Sequence, residues 1–159
     1  MRLGQTSAIF FTSKLLASVV GFVATLYIAK ELGSATLGTY TLLVAVLIWL
    51  KTLAGSGINY SLKKRLSEVT GGGWVLGASF VLQTTAYILV VAVVLSLRGQ
   101  INGYLGFDGS WLLVIALAAA LGFGFVNATL QGEKKVHIGA LLQLVDRVVR
   151  SSIQLAVVF

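Results

Sequence analysis

The residues of this chain that could do chemistry are charged side chains inside long apolar stretches. Lys14 lies in the first such stretch, and Arg147 and Arg150 lie in the last one, with Asp146 beside them. A charge at the centre of a membrane helix costs about 2.5–3.5 kcal/mol on insertion scales, so such side chains usually face a bundle interior or a wet cavity. Guanidinium groups bind phosphate oxygens in pairs, and lysine adds a point charge. If these cations converge, we expect an anionic ligand, and a phosphate or diphosphate group fits this chemistry.

Polar residues recur at helical spacing beside these charges. Ser18 and Thr25 follow Lys14 at i+4 and i+11, and Gln143 and Gln154 flank the two arginines at i−4 and i+4. Asp146 precedes Arg150 by four residues, which is the favourable order for an ion pair on a helix. We therefore predict that the ligand-binding residues are Lys14, Arg147, Arg150 and Asp146. The residues predicted to line the cavity are Ser18, Thr25, Gln143 and Gln154.

Two alternatives to this cationic cavity remain open. The side chain of Lys14 is long enough to extend to the cytoplasmic interface. Residues 136–150 could form a cytoplasmic helical extension, in which case Arg147 and Arg150 would lie outside the bilayer. The first alternative would remove Lys14 from the membrane interior, and the second would remove Arg147 and Arg150.

This sequence contains few residues that could serve in catalysis. Cysteine is absent, and the one histidine, His137, has no metal-ligand spacing around it. No carboxylate pair suggests acid–base chemistry, and no metalloprotease or hydrolase motif is present. We predict no catalytic residue, no metal site and no cofactor, and we do not expect an enzyme.

The composition predicts a membrane protein. Apolar residues make up 57% of the 159 residues and charged residues only 11%, with a mean hydropathy of +0.94. Soluble domains have about 45–50% apolar and about 25% charged residues. Basic residues punctuate the apolar runs instead of gathering on one face, which argues against nucleic-acid binding.

Five apolar stretches are long enough to cross a bilayer, and helices are expected because residues 88–95 do not alternate as barrel strands do. The fold class predicted is all-α, a polytopic transmembrane helix bundle forming a single membrane domain over residues 1–159. The predicted spans are 7–29, 38–56, 74–97, 110–130 and 138–159.

The basic residues outside the spans set the expected orientation. Lys30 and Arg98 fall on one side, whereas the other side carries Arg2, Lys63, Lys64, Arg65, Lys134 and Lys135. Because short loops rich in lysine and arginine stay in the cytoplasm, the N-terminus is predicted to be cytoplasmic in a multi-pass cell-membrane protein. An odd number of spans and an apolar end lead us to expect an incomplete N-terminal lobe of something larger.

Two further patterns concern packing. Ile58, Leu62, Leu66 and Val69 recur at helical spacing, which predicts either the bent cytoplasmic end of the second helix or a short helix on the anionic leaflet. A solvated segment that serves only as an orientation signal is the alternative. Small residues four apart let membrane helices approach closely. The pairs that fit are Ala17/Gly21, Ala118/Gly122 and Gly124/Ala128.

Three motifs resemble those of polysaccharide biosynthesis flippases, which belong to the multidrug/oligosaccharidyl-lipid/polysaccharide exporter superfamily. Lys30-Glu31-Leu32-Gly33 with Gly38-Thr39-Tyr40 is similar to the signature between the first two helices of that family. Gly55-Ser56-Gly57 leading to Lys63-Lys64-Arg65-Leu66-Ser67-Glu68 resembles its glycine turn and basic end of helix two. Leu130-Gln131-Gly132-Glu133-Lys134-Lys135 resembles the step between helices four and five.

The resemblance implies about twelve or more helices in two lobes around a central cavity, working by alternating access. It also implies transport of lipid-linked oligosaccharide across the cell membrane, with the lipid-linked oligosaccharide and membrane lipids as partners. This chain resembles only the first five helices, so we expect a second lobe to complete the transporter. The motifs do not assign Lys14, Arg147 or Arg150 to a functional position of the family.

Two other functions remain open at this point. A cation-coupled multidrug exporter of the same superfamily would be expected to place carboxylates within the membrane, and only Asp146 is available here. A non-transporting structural subunit of a glycan-synthesis complex is the other alternative. A membrane glycosyltransferase would need an acidic metal-binding loop, which this sequence lacks.

Overall fold

The computed structural model describes residues 3–68, 72–135, 138–139, 141–143 and 145–146. Four helices make up most of this part of the chain: α1 (Leu3–Glu68), α2 (Gly73–Ser96), α3 (Arg98–Leu105) and α4 (Ser110–Gly132). Residues 138–139, 141–143 and 145–146 are also helical, and no strand occurs among the residues described. The predicted all-α class is confirmed.

Three helical stretches are long and apolar enough to cross a membrane: Gly33–Glu68 within α1, α2 and α4. They overlap the predicted second, third and fourth spans, and α2 and α4 begin within one residue of the predicted starts. The predicted first span, 7–29, lies in the earlier part of α1, which is helical, and most of the predicted fifth span lies outside the described residues. The chain is therefore a multi-pass membrane protein, whereas the count of five spans and the cytoplasmic N-terminus stay predictions.

Gly33 interrupts α1. Its backbone has φ 81° and ψ 166°, a conformation that is essentially restricted to glycine. No atom lies within 4 Å of the position where a Cβ on Gly33 would be. The glycine of the motif Lys30-Glu31-Leu32-Gly33 is therefore required for its backbone conformation and not for lack of space.

The chain forms two compact units. One combines Met1–Gly38 with Lys134–Phe159, and the other is Thr39–Glu133. The second unit contains the later part of α1 together with α2, α3 and α4. We call it the central unit.

Two buried clusters hold the central unit together. In the first, Ala54 of α1 packs with Leu117 and Leu121 of α4, and Tyr87 and Val90 of α2 cover them. In the second, one residue from each long helix is buried, and the three are Leu62, Val75 and Ala128. Because α1, α2 and α4 contribute to both clusters, the central unit is a three-helix bundle.

The amphipathic segment that begins at Ile58 continues α1 without a break as far as Glu68. Leu62 is fully buried, and Leu66 packs beside it against α2 and α4. The segment is therefore the end of a helix whose apolar face is covered by neighbouring helices, whereas its bend and its cytoplasmic side stay predictions. Val69 lies outside the described residues.

A polar network fixes the connection between α2 and α4. Arg98 and Asp108 form a salt bridge with 2.7 Å between Nη2 and Oδ2, and Asn102 donates from Nδ2 to the other Asp108 oxygen at 2.7 Å. The Oδ1 of Asn102 accepts hydrogen bonds from the backbone N–H and the hydroxyl of Ser110 at 3.1 and 2.6 Å. Asn102 therefore caps α4 from outside that helix, since no N-cap side chain of its own does so.

Replacing Gly33 by alanine should destabilise the protein by about 1–3 kcal/mol, the usual cost of a strained backbone conformation. Gly38 is a matched control, because it is helical and also has open space around its missing Cβ. Gly38→Ala should be stabilising by about 0.5–1 kcal/mol, as expected for glycine inside a helix. Unfolding of both variants by sodium dodecyl sulfate measures the difference, and equal effects would contradict the conformational explanation.

The polar network of Arg98, Asn102, Asp108 and Ser110, which we call the connector network, should weaken in acid. Hydrogen bonds from Arg98 and Asn102 hold the pKa of Asp108 below its usual value of 3.8. A carboxyl group with a lowered pKa in the folded state stabilises it above the unfolded pKa, and this contribution is lost as pH falls through the folded value. We expect the protection of the amides of residues 98–110, measured against the intrinsic exchange rate at each pH, to fall below about pH 3.8, and Asp108→Asn to remove this pH dependence. Protection that is unchanged in acid would contradict the role of Asp108.

Candidate functional site

The predicted residues on α1 share one face of a helix. Lys14 and Ser18 have exposed side chains, and the hydroxyl of Thr25 donates to the Gly21 carbonyl at 2.8 Å. Residues at i, i+4 and i+11 lie on the same side of a helix, and α1 is helical over this range. The predicted polar stripe therefore has the expected geometry, while its contact with a ligand stays a prediction.

The second half of the predicted site is only partly described. Gln143 and Asp146 are helical and half-buried, and they belong to the same compact unit as Lys14. Arg147, Arg150 and Gln154 lie outside the described residues. The convergence of the three cations is therefore a prediction that the structure does not test.

Sequence reasoning missed a polar site in the central unit, which we call the carboxamide site and define as Asn59, Gln83, Gly55 and Gly124. Gln83 is only 6% exposed, and its Nε2 donates to the Leu121 carbonyl at 3.0 Å. Its Oε1 is buried without a hydrogen-bond partner among the described residues, and the same holds for Oδ1 of Asn59. The site thus holds two unsatisfied acceptors.

Two glycines make room for these amides. A Cβ on Gly55 would lie 3.4 Å from Nδ2 of Asn59 and 3.8 Å from Nε2 of Gln83. A Cβ on Gly124 would lie 3.1 Å from the same Asn59 nitrogen. The two carboxamides therefore meet between α1, α2 and α4, where larger side chains would not fit.

The electrostatic character of the carboxamide site is neutral. Among the described residues, the buried polar side chains are Gln83, Ser110 and Asn127, none of which is charged. An unsatisfied buried acceptor costs about 1–3 kcal/mol. Two such oxygens would be satisfied by the O–H groups of water or of a hydroxyl-bearing molecule, and they would repel an anion.

An apolar groove lies beside this site between α2 and α4. Its volume is about 300 Å³, and its wall is formed by apolar residues together with Gln83, Thr84 and Tyr87. Phe80 and Phe125 contact each other edge to face across the groove, with ring centroids 5.9 Å apart. The Tyr87 hydroxyl donates to the Val114 carbonyl at 3.3 Å, so it links the same two helices.

A leucine in place of Gln83 should leave the protein as stable as before or more stable by about 1 kcal/mol, because it removes an unsatisfied acceptor together with one hydrogen bond. Asn127 is a suitable control, since its Oδ1 accepts a hydrogen bond from Nε2 of Gln131 at 2.9 Å. Asn127→Leu should lose about 1 kcal/mol, because it leaves the Gln131 donor unpaired. A loss of stability in Gln83→Leu larger than that in Asn127→Leu, measured by unfolding in detergent, would show that Gln83 is chiefly structural.

Comparison with known proteins identifies two relatives, both from Haloferax volcanii. The probable low-salt glycan biosynthesis flippase Agl15 is 26% identical over 148 residues, which cover 93% of this chain and 31% of that protein. The probable flippase AglR is 26% identical over 162 residues, covering 99% of this chain and 33% of that protein.

No protein-family model matches the chain, and no solved structure matches it either. The chain spans about a third of the length of the curated relatives that it matches. The resemblance to polysaccharide biosynthesis flippases that the three motifs predicted is confirmed, since the chain is similar along nearly its whole length to two proteins named as probable flippases, one of them of glycan biosynthesis.

Proposed function

We propose that this chain takes part in moving a lipid-linked oligosaccharide across the cell membrane by alternating access. The observation that carries the proposal is the similarity to two probable flippases, one of them named for glycan biosynthesis, over 93% and 99% of the chain. Three apolar helices of membrane-crossing length support it. The proposal favours transport over catalysis, and it favours a glycan precursor over the drug substrate of the related exporters.

The ligand in this proposal carries a phosphate or diphosphate group between lipid and sugar. Lys14, Arg147 and Arg150 bind that group, and Asp146 balances part of their charge. Support comes from the first compact unit, to which both Lys14 on α1 and Asp146 belong. The side chains that line the path are Ser18, Thr25, Gln143 and Gln154. A second lobe of helices, in this or another polypeptide, completes the cavity, as the family resemblance implies.

The carboxamide site supports the alternating-access part of the proposal. The arrangement of helices described here leaves the acceptors of Asn59 and Gln83 unsatisfied. Any arrangement that admits water to these oxygens relieves this cost of about 1–3 kcal/mol each. A second packing of α1, α2 and α4 that wets these oxygens would recover this free energy, and that gain is what supports alternating access in this proposal.

Charge neutralisation tests the proposed cation site. We expect Arg150→Gln and Lys14→Gln to reduce glycan export about ten- to a hundredfold, since each removes a charge-assisted contact of about 1.5–3 kcal/mol. Export is measured by complementation of the deleted gene, with membrane levels checked by immunoblot. Arg150→Lys should retain part of the activity because it keeps the charge without the bidentate geometry.

Lys51→Gln is the matched control, because Lys51 is an exposed basic residue on α1 outside the predicted site. It should export normally. Normal export from both Arg150→Gln and Lys14→Gln would contradict the cationic site, whereas absence of any glycan-export defect on deletion of the gene would contradict the flippase function itself.

A further inference from the structure

A second pocket in the central unit has the polarity of a lipid-binding site. It lies between the end of α1 and the start of α2, and its volume is about 260 Å³. Nine residues line it, and Arg65 is the one that carries a charge. This pocket does not involve the cations of the proposed transport site.

Polar and apolar groups are ordered along the length of this pocket. Arg65 and Trp74 lie at one end, which we call the mouth, where α1 ends and α2 begins. Gly57 and Leu82 lie at the other end, which we call the base, each eight residues from the mouth along its own helix, and both are exposed. At 1.5 Å of rise per residue, the pocket is an open groove about 12 Å long. A cation at the mouth and apolar residues at the base match a lipid with an anionic headgroup.

Two serines stand between these ends, and their hydroxyls are available. The hydroxyls of other serines and threonines on these helices donate to the carbonyl four residues back, as in Thr52 to Ile48 and Thr84 to Phe80. Ser61 and Ser79 line the pocket, and neither side-chain hydroxyl has a hydrogen-bond partner within the described part of the chain. A hydroxyl at this depth is placed to donate to the ester or phosphate oxygens of a lipid.

The charge around the mouth favours an anion. Arg65 follows the exposed Lys63 and Lys64, and it has no ion-pair partner among the residues described. Tryptophan is enriched at the membrane–water interface, and Trp74 is exposed there beside Arg65. Basic clusters immediately beside a membrane helix attract anionic lipid headgroups.

We propose that this pocket binds the phosphate and first methylenes of an anionic membrane phospholipid. Arg65 contacts the phosphate, Ser61 and Ser79 donate to oxygens of the glycerol region, and the acyl chains follow Ile58 and Leu82. This inference is independent of the proposed transport function, because it concerns binding alone.

Fluorescence quenching of Trp74 tests this proposal. The whole gene product, with every other tryptophan replaced by phenylalanine, is placed in vesicles that contain phosphatidylcholine and phosphatidylglycerol, with bromine near the ester end of one lipid or the other. We expect brominated phosphatidylglycerol to quench Trp74 at about a fivefold lower mole fraction than brominated phosphatidylcholine, the preference that one basic residue near the surface provides.

Two variants remove this preference by different means. Arg65→Gln removes the charge at the mouth, and Gly57→Leu fills the base, where no atom lies within 4 Å of the missing Cβ. The controls are Lys64→Gln, which removes a neighbouring charge, and Gly77→Leu, which fills open space on α2 outside this pocket. Both controls should keep most of the fivefold preference expected for one basic residue.

Three results would overturn the proposal. Equal quenching by the two lipids would show that no anionic lipid is selected. A preference that survives Gly57→Leu would reveal general attraction to the basic cluster and not a pocket. Loss of the preference on addition of inorganic phosphate at constant ionic strength would identify a site for a soluble anion.

Discussion

The close approach of α1 and α4 is the constraint on which the rest of the central unit depends. A Cβ on Gly55 would lie 2.7 Å from Cδ2 of Leu121, and a Cβ on Gly132 would lie 2.7 Å from Cβ of Leu66. Two glycines, one on each helix, therefore set how near the backbones lie. In a bilayer, small residues provide most of the packing between helices because lipid and leucine are equally apolar. This spacing brings Asn59 close to Gln83 and buries Leu62 against Ala128.

The same packing separates two kinds of polar surface. Neutral carboxamides are enclosed between the three helices, where a charge would be costly. Basic side chains remain outside, at the end of α1, where Lys63 and Lys64 are exposed. Large apolar side chains such as Trp49 and Ile115 cover much of the remaining surface, as expected for helices that contact lipid. Among its described residues, the central unit thus carries neutral polar groups between the helices and positive charge at the end of α1.

The positions of the helices could be predicted from sequence because the signal is local. The predicted spans 74–97 and 110–130 match α2 and α4 closely, since glycines and charges mark their ends. The second span was predicted to end at residue 56, but α1 continues to Glu68. Hydropathy falls where the lysines begin, whereas the helix persists because Leu62 and Leu66 pack on neighbouring helices.

The site was harder to predict because spacing along one helix does not identify the face that a neighbour covers. Gly124/Ala128 does lie at a helix contact, but Ala118/Gly122 lines the groove between α2 and α4 instead. Charged residues do not point to Gln83, because the span that contains it has none. An uncharged amide inside an apolar helix was the available signal. The role of Arg147 and Arg150 stays a prediction, because it depends on their neighbours in space and both residues lie outside the described part of the chain.

The capping of α4 by Asn102 bears on the order in which the hairpin assembles. The group that satisfies the first turn of α4 belongs to α3, which leaves the ribosome earlier. When Ser110 is synthesised, its acceptor is already present eight residues behind it. The hydrogen bonds that cap the first turn of α4 therefore require no part of the chain that follows Ser110.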